Sequence, residues 1–162
     1  MLLLVVRHGL AEERDSTRWA DDRGRPLSAA GRRRTREVAL GLARLAPVPR
    51  LVLSSPLARA RATAAILERD AGWPRAQPLE ALAPGHDTES LRRFLRARAQ
   101  APLALVGHEP ELGALLALCL ATGVRVELKK AACAALEFPG RVRAGQATLV
   151  WLAPPRLLRA TG

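Results

Sequence analysis

The sequence predicts one α/β domain over residues 1–162, a three-layer sandwich with a mainly parallel central sheet and helices on both faces. Short continuous apolar runs alternate with longer segments of helical periodicity, which is the pattern of βαβ units. Hydrophobic residues make up 49% of the 162 residues, which is enough for a substantial core. Charged residues make up 25%, a fraction typical of folded proteins.

Five strands are predicted from apolar runs that are bounded by turn residues. They are Leu2–Val6, Leu51–Leu53, Leu103–Val106, Ala132–Phe138 and Thr148–Leu152. A further short extended piece is expected at Gln77–Leu82, within a proline-rich connection from Trp73 to Gly85. The last two strands flank a turn near Gly140–Gly145, and pairing them as a hairpin would make the sheet mixed.

Four helices are predicted between these strands because apolar residues recur there at helical spacing. They are Ser28–Leu45, Ser55–Asp70, Thr88–Arg98 and a helix that begins at Pro110. Ser28 and Ser55 are suitable N-caps, Pro56 suits the first turn of the second helix, and Gly72 suits its end.

Composition restricts the possible partners. The net charge of +11 favours contact with nucleic acid, acidic proteins or phosphorylated ligands, but it is equally typical of a solvated arginine-rich surface. Only two of the 26 cationic side chains are lysines, Lys129 and Lys130. Aromatic residues make up 3% of the chain, so few side chains are available to stack on bases, and nucleic-acid binding is not expected.

Cysteine usage and hydropathy bear on location. Cys119 and Cys133 lie in apolar surroundings without the spacing of a metal site, so we expect two buried reduced thiols and no metal. No apolar run is long enough to cross a bilayer, and the first residues lack the basic region of a signal peptide. We therefore expect a cytoplasmic protein with no membrane contact.

Three predicted strands end in residues suited to phosphate chemistry. These ends are Arg7-His8-Gly9, Ser54-Ser55-Pro56 with Arg59 one helical turn later, and Gly107-His108-Glu109-Pro110. Ligands of open α/β sheets bind beyond the carboxyl ends of the strands, and parallel strands present those ends at one edge. The three loops are therefore expected to converge, together with the amino ends of two helices, which favour anions.

These residue types form a plausible phosphoryl-transfer site. Guanidinium groups bind phosphate oxygens in a bidentate manner, and a neutral imidazole attacks phosphorus to form a covalent intermediate. His8 is the candidate nucleophile; Arg7, Arg59 and a protonated His108 would stabilise charge on the equatorial oxygens. Gly9 would let the backbone approach the phosphate closely. Each residue alone is explained equally well as an ordinary loop or surface residue, but their joint placement favours a site.

The same segments resemble the motifs of the histidine phosphatase superfamily, which has the phosphoglycerate mutase-like fold. The matching segments, in the family's order, are Leu4–Ala11, Pro26–Gly31, Ser54–Ala64 and Val106–Pro110. The resemblance implies that His8 becomes phosphorylated and that Arg7, Arg59 and His108 complete the phosphate pocket, with no cofactor. Arg61 does not occupy the family's arginine position.

The spacing of the motifs indicates a compact member of this family. Only 49 positions separate Arg59 from His108, whereas larger members carry insertions there that cover the site and supply a glutamate acid. Glu80 and Asp87 are the candidate proton donors, with His86 a further candidate, although all three are equally typical of polar loop residues. The short connection and the motif order resemble the small bacterial phosphohistidine phosphatases of the SixA type.

A weak or absent acid suits a good leaving group, such as the imidazole of a phosphohistidine. We therefore expect a phosphatase that acts on phosphohistidine in a protein through a phosphohistidine intermediate of its own. One alternative is a broad phosphomonoesterase acting on small phosphorylated metabolites. Another is a non-enzymatic protein that binds a phosphorylated ligand or nucleic acid.

Overall fold

A single mixed sheet runs through the computed structural model, which describes residues 1–98, 102–124 and 126–161. Its strands are β1 (Leu2–Arg7), β2 (Leu51–Ser54), β3 (Gln77–Pro78), β4 (Leu103–Gly107), β5 (Cys133–Glu137) and β6 (Thr148–Ala153). They lie in the order β3-β2-β4-β1-β5-β6. The first four are parallel, β5 is antiparallel to β1, and β6 is antiparallel to β5. The predicted hairpin of the last two strands is confirmed.

Helices cover both faces of this sheet. They are α1 (Ala29–Leu45), α2 (Ala58–Ala71), α3 (Thr88–Arg98), α4 (Glu111–Leu120) and α5 (Pro155–Ala160), with 3-10 turns at Asp22–Gly24 and Glu80–Leu82. Successive side chains of β1 lie on opposite faces of the sheet and contribute to two cores. Leu4 and Val6 pack towards α1, α2 and α5, whereas Leu3 and Val5 pack towards α3 and α4. The predicted three-layer arrangement is confirmed.

Two of the predicted helix boundaries are confirmed by cap geometry. The Ser28 side chain accepts a hydrogen bond from the Gly31 amide at 3.0 Å. Gly72 follows α2 in the left-handed conformation with a φ of 69°, which glycine adopts without steric cost. No helix among the described residues is long and apolar enough to cross a membrane.

Other boundaries differ from the prediction. The second helix begins at Ala58 rather than at Ser55, and its N-cap is Leu57 without a side-chain cap. The Ser55 hydroxyl accepts from the Leu57 amide at 3.3 Å and lies 2.9 Å from His108 Nε2. Only Gln77–Pro78 of the expected extended piece pairs with the sheet. Helix α5 was not predicted, since six residues are too few to show a helical period. Cys119 and Cys133 are free and buried, as expected.

Candidate active site

The register of the sheet brings the two histidine loops together. β1 and β4 pair Arg7 with Gly107, and the His8 amide continues this ladder by donating to the Gly107 carbonyl at 3.0 Å. The two strands therefore end at the same level, and the ring centroids of His8 and His108 lie 4.9 Å apart. The expected convergence of these loops follows directly from the parallel pairing.

His8 is held as a neutral imidazole in a defined tautomer. Its Nδ1 lies 2.7 Å from the Gly9 carbonyl oxygen; since a carbonyl only accepts, Nδ1 carries the proton and Nε2 keeps its lone pair. Burial lowers the pKa of His8 to about 3, the hydrogen bond to Gly9 opposes this, and the charges of Arg59, Arg7 and Lys130 lower it further. At neutral pH the ring is available as a nucleophile.

His108 is also neutral in the free site. Burial lowers the pKa of His108 to about 3, assisted by His8 and by the charge of Arg59. Its Nε2 lies 2.9 Å from the Ser55 hydroxyl, and its Nδ1 is buried without a hydrogen-bond partner among the described residues. Desolvation and neighbouring cations therefore oppose a proton on His108 in the free protein. The expected protonated His108 concerns the site with a phosphoryl group bound and stays a prediction.

Both predicted arginines present partly unsatisfied guanidinium groups. Arg7 donates from one terminal nitrogen to the Leu128 carbonyl at 2.6 Å. Arg59 is only 3% exposed, and its two terminal nitrogens contact Asp22, at 2.8 Å to the carbonyl and 2.9 Å to the carboxylate. The Nε atoms of Arg7 and Arg59 are buried and have no partner among the described residues. Each arginine thus retains a donor for an anion.

A buried threonine joins the His8 loop to α2. The Gly9 amide donates to Thr63 Oγ1 at 3.0 Å, and that hydroxyl donates to the Arg59 carbonyl at 2.8 Å. Arg59 and Thr63 lie one turn apart on one face of α2, so the helix fixes the guanidinium relative to the nucleophile. The family-like segment Ser54–Ala64 already contained Thr63, although its role was not predicted.

Gly9 is needed for a reason other than the one expected. Its amide is already bonded to Thr63. A Cβ at this position would lie 2.2 Å from Thr35 Oγ1 of α1. The glycine therefore permits close packing of α1 against the loop, and its amide is not available for a phosphate oxygen.

The loop between β1 and α1 supplies two site residues that the sequence analysis missed, Asp22 and Arg25. The Asp22 carboxylate accepts from Arg25 Nε at 2.7 Å in addition to its contact with Arg59. Partial burial opposes ionisation of Asp22, but the Arg25 hydrogen bond and the charge of Arg59 hold its pKa below the usual range. The only available signal was an Asp-x-x-Arg spacing directly before the Pro26–Gly31 motif.

The candidate proton donors have other partners. Glu80 is paired with Arg23 at 2.9 Å, and that hydrogen bond lowers the pKa of Glu80. Asp87 accepts from the amide and hydroxyl of Ser90, each at 2.8 Å, and these bonds lower the pKa of Asp87. Both carboxylates are ionised at neutral pH, and no contact between either one and His8 is found among the described residues. His86 is exposed.

Arg61 lies apart from the two histidines. Arg61 lines a groove of about 860 Å³ beside α2, which adjoins the site at Ser54 and Pro56 but contains neither histidine.

No group of three or more His, Cys, Asp and Glu side chains suited to a metal ion occurs in the part of the chain that the structure describes.

Comparison with known families identifies the chain. Residues 3–84, half of its length, match the family model of the histidine phosphatase superfamily, branch 1. The chain belongs to the histidine phosphatase superfamily. Together with the similarity to the SixA structure reported next, this membership identifies a hydrolase that acts on phosphoryl groups, and the predicted resemblance is confirmed.

Relatives and solved structures agree with this assignment. An uncharacterized protein of Picosynechococcus sp. is 39% identical to this histidine phosphatase over 136 residues, which cover 81% of each chain. The protein histidine phosphatase SixA complexed with tungstate matches with a TM-score of 0.84 and 25% identity, over 96% of this chain and 98% of that one. A SixA protein from Agrobacterium tumefaciens matches with a TM-score of 0.80 and 21% identity, over 95% and 97%.

Proposed function

We propose that this phosphatase removes the phosphoryl group of phosphohistidine in a protein, through a phosphohistidine intermediate on His8. The observation that carries the proposal is the tautomer of His8. Its Nδ1–H is bonded to the Gly9 carbonyl at 2.7 Å, which directs the lone pair to Nε2. Because the pKa of His8 is lowered to about 3, the nucleophile needs no base to remove a proton.

The surrounding donors suit a phosphoryl group. Arg7 Nε, Arg59 Nε and His108 Nδ1 are buried nitrogens without partners among the described residues, and buried polar atoms are normally hydrogen-bonded. A hydroxyl proton donated by Ser55 to His108 Nε2 leaves a proton on Nδ1 for a phosphate oxygen. Such donors stabilise the charge that develops on the equatorial oxygens during transfer.

The transfer step requires no acid at the leaving atom. The His8 Nε2 lone pair forms a bond to phosphorus while the phosphorus–nitrogen bond of the substrate breaks, and that electron pair returns to the substrate imidazole. When the other ring nitrogen of the substrate already carries a proton, the ring leaves as neutral imidazole. The bond formed and the bond broken are then of the same kind, so the step is close to balanced in free energy.

Hydrolysis completes the cycle. Water attacks the phosphorus of phosphorylated His8, the phosphorus–nitrogen electron pair returns to Nε2, and dihydrogen phosphate leaves with both protons of the water. The Nδ1–H of His8 stays on the Gly9 carbonyl throughout. His8 is regenerated as the neutral tautomer in which it began.

The charge states of the candidate acids favour a nitrogen leaving group over an alkoxide. An alkoxide needs a proton as it departs, but Glu80, Asp87 and Asp22 all have pKa values lowered by hydrogen bonds or neighbouring arginines. None of the three is a ready proton donor at neutral pH. Phosphohistidine is the substrate class that depends least on such a donor.

The shape of the chain around the site also supports a protein substrate. The connection from α2 to β4 is occupied by β3, a 3-10 turn and α3, whose Leu91 and Leu95 are buried in the core. The described residues of this connection belong to the sheet and helix layers, whereas the loop between β1 and α1 covers Arg59 through Asp22. The groove beside α2 adjoins the site at Ser54 and Pro56, which suits a phosphoryl group displayed on a larger surface.

The intermediate is tested by quenching the enzyme during turnover and locating phosphate by mass spectrometry at alkaline pH, where phosphohistidine survives. We expect acid-labile phosphate on His8 in the wild-type protein. His8→Asn should abolish both labelling and turnover, whereas His86→Asn is the matched control, since His86 is exposed. Turnover without any label in wild type and in His108→Gln would contradict the mechanism.

Substrate class is tested separately by comparing kcat/KM on a phosphohistidine-bearing protein and on phosphoserine. We expect a value at least about a hundredfold higher on the protein, equivalent to about 2.7 kcal/mol of transition-state stabilisation. A higher value on phosphoserine would leave the intermediate intact but assign the enzyme to small phosphoesters.

We also propose a cytoplasmic location. Cys119 and Cys133 are both free thiols, and reducing compartments keep thiols in this state. Fractionation of cells that express a tagged chain tests the location, and recovery in an oxidising compartment would contradict it.

A further inference from the structure

The two lysines of the chain lie where the sheet changes direction. Strand β5 is antiparallel to β1, so its amino end lies at the edge where the parallel strands have their carboxyl ends. Lys129 and Lys130 closely precede this strand. The two lysines therefore lie at the edge of the sheet that holds His8. All other 24 cationic side chains of the protein are arginines.

The backbone around Lys130 is fixed to the nucleophile loop. The next residue, Ala131, donates its amide to the carbonyls of both Arg7 and His8, each at 3.1 Å. Ala131 has a φ of 63°, a left-handed conformation that costs a non-glycine residue about 1 kcal/mol or more and that clusters at functional sites. The segment is thus held in a strained conformation that sets the starting point of the Lys130 side chain.

The charge of Lys130 interacts with like charges at the site. The side chain is exposed, yet desolvation lowers the pKa of Lys130, and the charges of Arg7, Arg25 and Arg59 lower it further. Lys130 in turn is among the charges that lower the pKa of His8. No ion pair or hydrogen bond of its ammonium group is found among the described residues. Arg25 and Arg59 are paired with Asp22, whereas no ion pair of Arg7 or Lys130 is found among the described residues. The charges of Arg7 and Lys130 are therefore without a counter-charge until an anion binds.

We propose that Lys130 is a further substrate-binding residue, whose ammonium group contacts an oxygen of the transferring phosphoryl group together with Arg7 and Arg59. The proposal rests on the proposed function, because it concerns the same phosphoryl group. An ammonium is a compact charge with three rotatable donors. It therefore follows the oxygens as phosphorus moves from the substrate to His8, while the rigid guanidinium groups hold the remaining positions.

The test measures binding without turnover. The dissociation constant of inorganic phosphate is determined by calorimetry for wild type, Lys130→Met, Lys130→Arg and Lys129→Met. Methionine keeps much of the aliphatic stem and removes the charge. We expect Lys130→Met to weaken binding by about tenfold or more, the scale of a lost hydrogen bond to a charged group. Lys130→Arg should recover part of the loss, and the Lys129→Met control should remain within about twofold of wild type.

Other results would overturn the proposal. Phosphate affinity of Lys130→Met equal to wild type would remove Lys130 from the phosphoryl group. Equal weakening in both methionine variants would indicate a general field of the two lysines rather than a contact. A fall in kcat/KM on a phosphoprotein with unchanged phosphate affinity would assign Lys130 to the protein part of the substrate. Because phosphate binding requires no intermediate, a failure to label His8 does not affect this measurement.

Discussion

The stability of the folded protein should fall steeply below neutral pH, because two histidines are buried in their neutral form. His8 and His108 are 6% and 2% exposed, and burial lowers the pKa of each from 6.5 to about 3. The unfolded chain takes up a proton at each histidine below pH 6.5, whereas the folded chain does not until about pH 3. Each neutral histidine therefore contributes stability that is fully present above pH 6.5 and is lost as the pH falls towards 3.

The magnitude follows from these two pKa values. One histidine with an unfolded pKa of 6.5 and a folded pKa of about 3 lowers the free energy of unfolding by about 2 kcal/mol when the pH falls from about 7.5 to about 5. The pair costs about 4 kcal/mol, which is a large share of the stability of a typical domain. Carboxylates contribute little in this window, since they titrate mainly at lower pH.

The assay is urea unfolding at the two pH values, followed by the fluorescence of the three tryptophans. His8→Asn retains a donor for the Gly9 carbonyl, and His108→Gln retains a polar group near Ser55. In the double variant we expect the loss between pH 7.5 and 5 to shrink by about 4 kcal/mol. His86→Asn is the control variant, since it removes an exposed imidazole outside the site. A double variant with the same pH dependence as wild type would refute the neutral-histidine site.

Three further predictions concern the residues that support the site. Thr63→Val leaves the Gly9 amide buried without a partner, so we expect a loss of about 2 kcal/mol and a Tm lower by roughly 4–8 °C, with Thr63→Ser as control; an unchanged Tm would contradict this. Asp22→Asn removes the charge that occupies Arg59. Because the Asp22 side chain is 41% exposed, calorimetry should show inorganic phosphate bound only about two- to fivefold more tightly, and weaker binding would argue against competition. Gly9→Ala should destabilise by about 1–3 kcal/mol, and Thr35→Ala should rescue it in a double-mutant cycle; additive losses would exclude the predicted clash.

The central site was predictable because it depends on features that sequence carries directly. Buried parallel strands appear as continuous apolar runs, and the residues that follow them must meet at one edge of the sheet. His8, Arg59 and His108 follow three such runs. Their convergence required only that the strands be parallel. The pairing of Arg7 with Gly107 makes β1 and β4 end at the same level of the sheet.

Residues contributed by irregular or reversed segments were not predictable in the same way. Asp22 reaches Arg59 from a loop whose course is set by a bridge between Ala11 and Leu27, and such a bridge has no sequence period. Lys130 lies at the edge only because β5 is antiparallel to β1. The rule that ligands lie beyond carboxyl ends directs attention away from the amino end of an antiparallel strand, although both ends share that edge.

The charge of His108 shows why a residue can be predicted from sequence more directly than its protonation state. The cations that would bind phosphate also lower the pKa of both histidines, so the free site keeps the His8 nucleophile unprotonated. A bound phosphoryl dianion offsets these cations and places negative charge close to His108, which raises its pKa. We therefore expect substrate binding to favour protonation of His108. His8 cannot be protonated at Nε2 once this atom is bonded to phosphorus, because the bond uses the lone pair that a proton would need.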